Sequence, residues 1–151
     1  MALEFSTIGI RVKYAVASSG SRPTTGYTEI PDIKQIPDIN LTPSQIEVTN
    51  LVDQYKRYVK GVQDAGNDIQ LTANLTADLK SKWATLCTSA TAAWASGYST
   101  WFEIAIPNFD SFYFAGQPSE LGIAGMGVDA VVETQLHIIP NQIAGWATAS
   151  S

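Results

Sequence analysis

The side chains that could do catalytic chemistry are few and scattered. His137 is the only histidine and lies in the apolar run 136–139, and Cys87 is the only cysteine. A Cys–His nucleophile pair needs both side chains together and a third group that orients the histidine, and the sequence suggests none. Glu103 and Asp110 could meet across a hairpin, but solvated or interface acids are the ordinary explanation. We therefore predict no active site.

Metal and cofactor sites are equally poorly supported by the sequence. One histidine and one cysteine fall short of the three or four protein ligands that zinc requires, unless carboxylates complete the set. The glycines Gly122, Gly125 and Gly127 lack the spacing of a phosphate-binding loop, and no helical pattern follows them. We predict neither a cofactor, nor a metal, nor enzymatic activity.

Length and composition narrow the class of protein. The 151 residues suit one domain, residues 1–151, and 45% hydrophobic residues can form a core. Charged residues make up only 15%, against about 25% in an average soluble domain. A net charge of −5 argues against a basic nucleic-acid-binding surface. The sequence has no apolar run long enough to cross a membrane and no secretory signal in residues 1–10, so we expect a soluble protein.

Charge is divided unevenly along the chain. Residues 1–82 hold all nine lysines and arginines together with nine acids, so this half is neutral. Residues 83–151 have no lysine or arginine, and the entire net charge comes from five acids: Glu103, Asp110, Glu120, Asp129 and Glu133. Two interpretations remain open. The distribution is either chance in a mostly buried half, or a surface selected against cations.

The secondary-structure elements that would position these side chains are mostly strands. Alternating or β-branched patterns predict strands at residues 3–16, 46–50, 55–62, 68–75, 98–106, 111–116 and 128–139, the last ended by Pro140. Residues 27–39 carry two Ile-Pro-Asp-Ile repeats, and their two prolines favour an extended chain at a sheet edge. Small polar residues predict mobile loops or arms at 18–26 and 141–151 that become ordered on assembly.

One helix is predicted, starting near Thr76. The Thr76 hydroxyl can cap the first turn, and Asp78 suits the positive end of the helix dipole. Leu79, Trp83 and Leu86 recur at helical spacing, so one face is apolar. The helix is expected to end before Gly97. The sequence therefore predicts a mainly β, α+β fold with one flanking helix.

Three motifs and their order carry a resemblance to a known family. The motifs are Ile30-Pro31-Asp32-Ile33, Ile46-Glu47-Val48-Thr49-Asn50 and Tyr58-Val59-Lys60-Gly61-Val62-Gln63-Asp64. A glycine-led turn, a helix, a strand at 101–106 that ends in proline, and residues 112–116 follow them. Over about residues 30–132 the chain resembles the major tail tube proteins of long non-contractile-tailed bacteriophages.

The resemblance implies a β-sandwich subunit with one flanking helix. Six copies would join their inner sheets into a barrel-like ring, and the rings would stack into a tube through which phage DNA passes without specific binding. The implied partners are further copies of the chain, the tape measure protein, the tail terminator and the tail tip or distal tail proteins. The implied location is the virion tail, after assembly in the bacterial cytoplasm and without membrane insertion.

Two alternatives to this function remain open. Tubes of related type occur in contractile tails, phage-tail-like bacteriocins and secretion systems, and the sequence does not separate these from a non-contractile tail. A small monomeric β-sandwich enzyme or ligand-binding domain is an alternative from another class. Rings or tubes of the purified protein would favour assembly, and compact monomers would favour the monomeric alternative.

Residues 50–66 predict a contact between stacked rings. Charges of both signs alternate there between turns, as a long hairpin loop that reaches a neighbouring ring would require; they are Asp53, Lys56, Arg57, Lys60 and Asp64. The alternative is a hairpin that faces only solvent.

Acids in the second half predict the wall of a channel. Cations facing DNA would bind its phosphates, so a conduit needs a wall that does not hold the strand. We expect some of Glu103, Asp129 and Glu133 to face the lumen, with Asp129 and Glu133 on one face of one strand. The alternative places these acids on the outer wall.

Overall fold

The computed structural model describes residues 9–39, 42–64, 68–123, 127–128 and 130–149. Along these residues nine strands and one helix follow each other: β1 (Arg11–Val16), β2 (Thr28–Glu29), β3 (Ile33–Gln35), β4 (Thr42–Glu47), β5 (Tyr58–Asp64), β6 (Ile69–Asn74), α1 (Ala77–Ala95), β7 (Thr100–Ala105), β8 (Ser111–Pro118) and β9 (Glu133–Ala147). The predicted mainly β fold with one helix is confirmed.

Seven strands form one antiparallel sheet in the order β2-β1-β7-β8-β9-β6-β3, and the sheet curls into a half-barrel. The short strands β2 and β3 lie at its two edges. Both come from residues 27–39, so the predicted extended edge chain is confirmed. Short strands at the edges limit the unpaired backbone that the sheet presents there.

The helix covers one face of this sheet. The Thr76 hydroxyl accepts a hydrogen bond from the Leu79 amide at 3.1 Å, as predicted for the N-cap, and α1 ends just before Gly97, which has a positive φ of 84°. The apolar face of α1 packs against alternate residues of β1, β6, β7, β8 and β9, and these fully buried side chains form the main core: Leu71, Leu79, Leu86, Phe102, Phe114, Leu136 and Ile138.

The longest strand, β9, pairs first with β6 and then with β8. We predicted that Pro140 ends this strand and that residues 141–151 form a mobile tail; instead, β9 continues to Ala147. Proline is tolerated at position 140 because the pairing of β9 with β6 stops at Ile138, so Pro140 has a neighbouring strand on one side only. On that side it lies opposite Gly116 at a bulge. A Cβ at Gly116 would lie 2.5 Å from the Ile139 carbonyl oxygen, so only glycine fits this close approach.

The remaining two strands, β4 and β5, form a separate two-stranded hairpin. Neither strand pairs with the seven-stranded sheet, and none of the hairpin side chains that the structure describes belongs to the main core. Isolated two-stranded hairpins are marginally stable in water. We call the seven-stranded sheet with α1 the body, and residues 42–64 the hairpin.

Candidate assembly surfaces

The tip of the hairpin, residues 48–57, is held by its own hydrogen bonds. Asp53 Oδ2 accepts from the Asn50 amide at 2.8 Å and from Arg57 Nε at 3.0 Å, and Asn50 Oδ1 accepts from the Val52 amide at 3.0 Å. The Thr49 hydroxyl accepts from the Arg57 amide at 2.9 Å. Asparagine and aspartate side chains stabilise turns in this way, so the tip has a defined shape without outside support.

The hairpin exposes apolar side chains on both faces. Ile46 and Val59 are paired across the strands on one face, and Tyr58 lies opposite Glu47 on the other. The exposed large apolar residues of the hairpin are Ile46, Val48, Leu51, Val52, Tyr55, Tyr58 and Val59. Seven exposed large apolar residues in one short hairpin indicate an interaction site.

The predicted inter-ring charges divide into paired and solvent-facing groups. Arg57 forms its ion pair with Asp53 inside the tip. Lys56 and Lys60 are exposed, and neither contacts a carboxylate among the described residues. Asp64 is the last residue of β5. The hairpin therefore presents two cations to any partner.

The first candidate lumen acid, Glu103, is fully buried, with 0% relative exposure. On β7 it lies opposite Tyr113 of β8 rather than near Asp110, and the Tyr113 hydroxyl is 2.9 Å from Glu103 Oε2. A lumen acid has to contact water, so in this chain the burial of Glu103 corrects that expectation.

Of the other two lumen candidates, Asp129 and Glu133, the structure describes only Glu133. Asp129 lies outside the described residues. Glu133 is the first residue of β9, so the predicted strand start at residue 128 is wrong. Glu133 is partly exposed and forms an ion pair with Lys34 of β3. It lies on the sheet face opposite α1, because its neighbour Thr134 is buried on the α1 side near Leu136.

Residues 17–27 cover the sheet face above Glu103. The Arg22 guanidinium carbon lies 4.0 Å from the centre of the Tyr113 ring, and Tyr27 packs edge-on against the same ring at 5.9 Å. The predicted loop 18–26 is therefore a loop, but Arg22 anchors it. Burial, helped by the hydrogen bond with Glu103, raises the pKa of Tyr113 to about 12.

The two candidate catalytic side chains lie apart. His137 Nδ1 is 2.8 Å from Asp68 Oδ2 on the face opposite α1, and this hydrogen bond lowers the pKa of Asp68. Cys87 is on α1, half-buried against the Ser119 carbonyl at 3.6 Å, and burial raises the pKa of its thiol to about 11. The sheet separates them, so the structure does not bring a Cys–His pair together. Within the described residues no three metal-ligating side chains cluster.

A groove that the sequence did not reveal runs beside α1. It has a volume of about 810 Å³ and lies between α1 and residues 118–121, with Trp83, Ala84, Cys87, Glu120 and Leu121 among its lining residues. Trp83 Nε1 donates to the Ser119 carbonyl at 2.7 Å and so ties the two walls together. Small residues on successive turns of the helix are the sequence signal that could have indicated this groove.

No helix within the described ranges is long and apolar enough to cross a membrane.

Comparisons with known proteins place this fold. No protein-family model matches the sequence, and no curated protein matches it significantly. A chain of the anti-feeding prophage baseplate, solved by cryo-electron microscopy with 6-fold symmetrisation, has a TM-score of 0.63 at 7% identity, covering 96% of this chain and 97% of that chain.

Two further similar chains belong to gene transfer agent particles. A chain of the native virion has a TM-score of 0.59 at 13% identity, and a chain of the empty particle's tail, with C6 symmetry, has 0.59 at 16% identity. Each match covers 95% of this chain and 100% of the other. At these identities the likeness shows a shared fold along nearly the whole chain.

Proposed function

We propose that this chain is a structural subunit of a phage tail, which polymerises as stacked six-membered rings into the tail tube through which DNA leaves the particle. The observation that carries the proposal is the fold match over at least 95% of the chain to chains of 6-fold symmetric tail-type particles. The resemblance of the motifs between residues 30 and 132 to tail tube proteins points to the same function.

The hairpin supports the stacking part of the proposal. A pre-ordered, two-stranded projection with uncovered apolar residues is costly to expose in a monomer, and a neighbouring copy would cover it. Lys56 and Lys60 would face a chain whose residues 83–151 carry only acids as charged groups. This complementarity would favour correct registration between rings.

The channel part of the proposal rests on the face opposite α1. Glu133 lies on that face and is paired with Lys34, so a ring would repeat both once in each subunit, as a collar in which an acid neutralises each Lys34. Asp129 stays a further candidate for the same collar, and Glu103 is set aside because it is buried.

Electron microscopy and mass measurement of the purified chain test the proposal. We expect rings or tubes with 6-fold class averages in negative stain, and light-scattering masses that are multiples of the 16.3 kDa subunit. Compact monomers at every concentration would contradict it and would favour the small monomeric β domain instead.

One observation favours a second candidate. The match to an anti-feeding prophage baseplate chain suits a ring at the baseplate end of a tail-like particle, which would not need to extend into a long tube. The same micrographs separate the two functions. Tubes of variable length support the tube subunit, and single rings that never stack support the baseplate ring.

A further inference from the structure

Among the surfaces of the described residues that lack a cover, two differ in shape. The first is the convex hairpin tip, where Leu51 is 105% exposed, Val52 87% and Tyr55 81%. The second is the concave groove beside α1, lined by the buried Trp83 and the small exposed Ala84 among others. Both are partly apolar, so each would gain free energy from losing contact with water.

The tip is prepared for binding by its internal hydrogen bonds. Because Asn50, Asp53 and Arg57 already fix the turn, docking would order few additional side chains. Affinity rises when this ordering cost is met before binding. Two aliphatic side chains on a rigid turn are also of a size that a groove of about 810 Å³ can accept.

The charges of the two surfaces are complementary. Lys56 and Lys60 of the hairpin are exposed, while Glu120 is exposed in the groove wall. Glu120 forms no ion pair with any described residue. Lys80, near the start of α1, is the one cation among the groove residues, so the Glu120 side is where the hairpin lysines fit best.

We propose that the hairpin tip of one copy docks in the α1 groove of a second copy, with Leu51 and Val52 in the groove and Lys56 facing Glu120. This inference rests on the proposed stacking of rings and names the surface that receives the hairpin. Tip and groove are different surfaces of one chain, so the contact is head-to-tail, and it can repeat from copy to copy when the rotation between copies does not close a ring. Such a contact suits growth along a tube axis.

The native cysteine provides the first test, without any substitution. Cys87 is the only cysteine and lines the groove. We expect its alkylation by a maleimide to slow by a factor of about ten or more when subunits assemble into tubes, because the docked tip covers it. Both samples are measured at one pH, since the thiolate is the reactive form and its fraction depends on pH. Equal rates in subunits and tubes would overturn the proposal.

Cross-linking provides the second test. Val52→Cys tubes, treated with a mild oxidant, should give a ladder of covalent multimers on a denaturing gel through disulfides to Cys87 of the next copy. Val52→Cys combined with Cys87→Ser should give no ladder. Val131→Cys, an exposed position outside both surfaces, should also give none. Tubes of the Val52→Cys protein without a ladder would contradict the docking.

A matched pair of helix substitutions provides the third test. Ala84→Arg fills the groove, whereas Ser89→Arg adds the same side chain at an exposed helix position that does not line it. An arginine at position 84 would keep Leu51 and Val52 out of the groove, and loss of such central anchors typically weakens binding by a factor of about 30 or more, so Ala84→Arg should leave folded subunits or unstacked rings. Ser89→Arg should stack normally, and equal stacking by both variants would overturn the proposal.

A charge exchange separates this inference from the proposed function. Glu120→Lys should shorten tubes, and adding Lys56→Glu to it should restore them. If wild-type tubes form but Cys87 is unprotected and the exchange rescues nothing, the docking site is wrong while the tube function stands. If the wild type forms neither rings nor tubes, both are wrong.

Discussion

The body and the hairpin treat apolar side chains in opposite ways. In the body, Leu71, Phe114 and Leu136 are completely buried between the sheet and α1. In the hairpin, Leu51 and Val52 are almost completely in water. Burial within the chain accounts for these core residues of the body, although Trp94, Ile139 and Trp146 of the body stay exposed. The apolar residues of the hairpin have no such account, and this difference is the reason to expect a partner.

The comparison predicts that substitutions in the body destabilise the free subunit and that substitutions in the hairpin do not. The largest expected effect is at Trp83, which is 2% exposed and donates to the Ser119 carbonyl. Trp83→Ala should lower the free energy of unfolding by about 3–5 kcal/mol, because it leaves a cavity and removes the indole hydrogen bond to the Ser119 carbonyl. Urea unfolding of the free subunit measures this. A loss below about 1 kcal/mol would mean that α1 is not an essential part of the core.

The next effect is expected at Tyr113, on the other face of the sheet. Its hydroxyl lies near Glu103 Oε2 and near the Thr148 carbonyl at 2.7 Å. Tyr113→Phe removes a donor beside a buried carboxylate and should cost about 2 kcal/mol of unfolding free energy at neutral pH. An unfolding free energy equal to that of the wild type would show that the buried Glu103 carboxylate does not need this hydroxyl.

The pH dependence of Tyr113 follows from its pKa, which is about 12 when folded against an ordinary value of 10.0. The folded state holds this proton more tightly than the unfolded state does. The stability that Tyr113 adds is therefore complete below pH 10 and is lost as the pH rises towards 12. Between pH 10 and 12 the free energy of unfolding should fall more steeply with pH for the wild type than for Tyr113→Phe. Parallel curves for the two proteins would contradict the assignment.

A smaller effect on folding is expected at Glu133, which forms an exposed ion pair with Lys34. Glu133→Lys should cost the subunit less than about 1 kcal/mol, since exposed ion pairs contribute little. Assembled tubes of this variant should retain duplex DNA and slow genome ejection, most clearly at low salt where screening is weak. Glu133→Gln is the neutral control. Normal ejection by Glu133→Lys particles at low ionic strength would remove Glu133 from the channel wall.

The smallest effect on subunit stability is expected in the hairpin. Reversal of Lys56, Arg57 and Lys60 to Glu should change the unfolding free energy of the body by no more than about 0.5 kcal/mol. Tube growth should stop, because like charges would then face each other between rings. Exchange of each of the three for the other cation, Lys for Arg and Arg for Lys, is the control and should permit growth. Tubes of normal length from the reversed variant would show that the hairpin is not the stacking contact.

The sequence predicted most elements of the body because local patterns determine them. Thr76 as helix cap, the edge chain at 27–39 and the strands around 98–116 each follow from residue types at short spacing. The prediction that Pro140 ends β9 is wrong because proline disrupts a strand with neighbours on both sides but is tolerated where one side is unpaired. Only the register of β6 against β9 reveals that Pro140 lies where one side is unpaired.

The candidate surfaces depended on contacts that no local pattern contains. Glu103 is buried because Arg22 and Tyr27, some eighty residues away, pack above its neighbour Tyr113. The alternating residues of the hairpin and of β6 look alike in sequence, and the sequence cannot say that one set lies in the core and the other in water. The groove was missed because it needs residues 118–121 beside α1.

The most direct test of the account compares amide hydrogen exchange in free subunits and in assembled tubes. We predict rapid exchange in residues 45–60 of the free subunit and strong protection of the same residues in tubes, while β7 and β8 are protected in both states. The contrast would show that assembly completes the burial that folding leaves undone in the hairpin. Equal exchange of residues 45–60 in subunits and tubes would contradict the claim that another copy covers the hairpin.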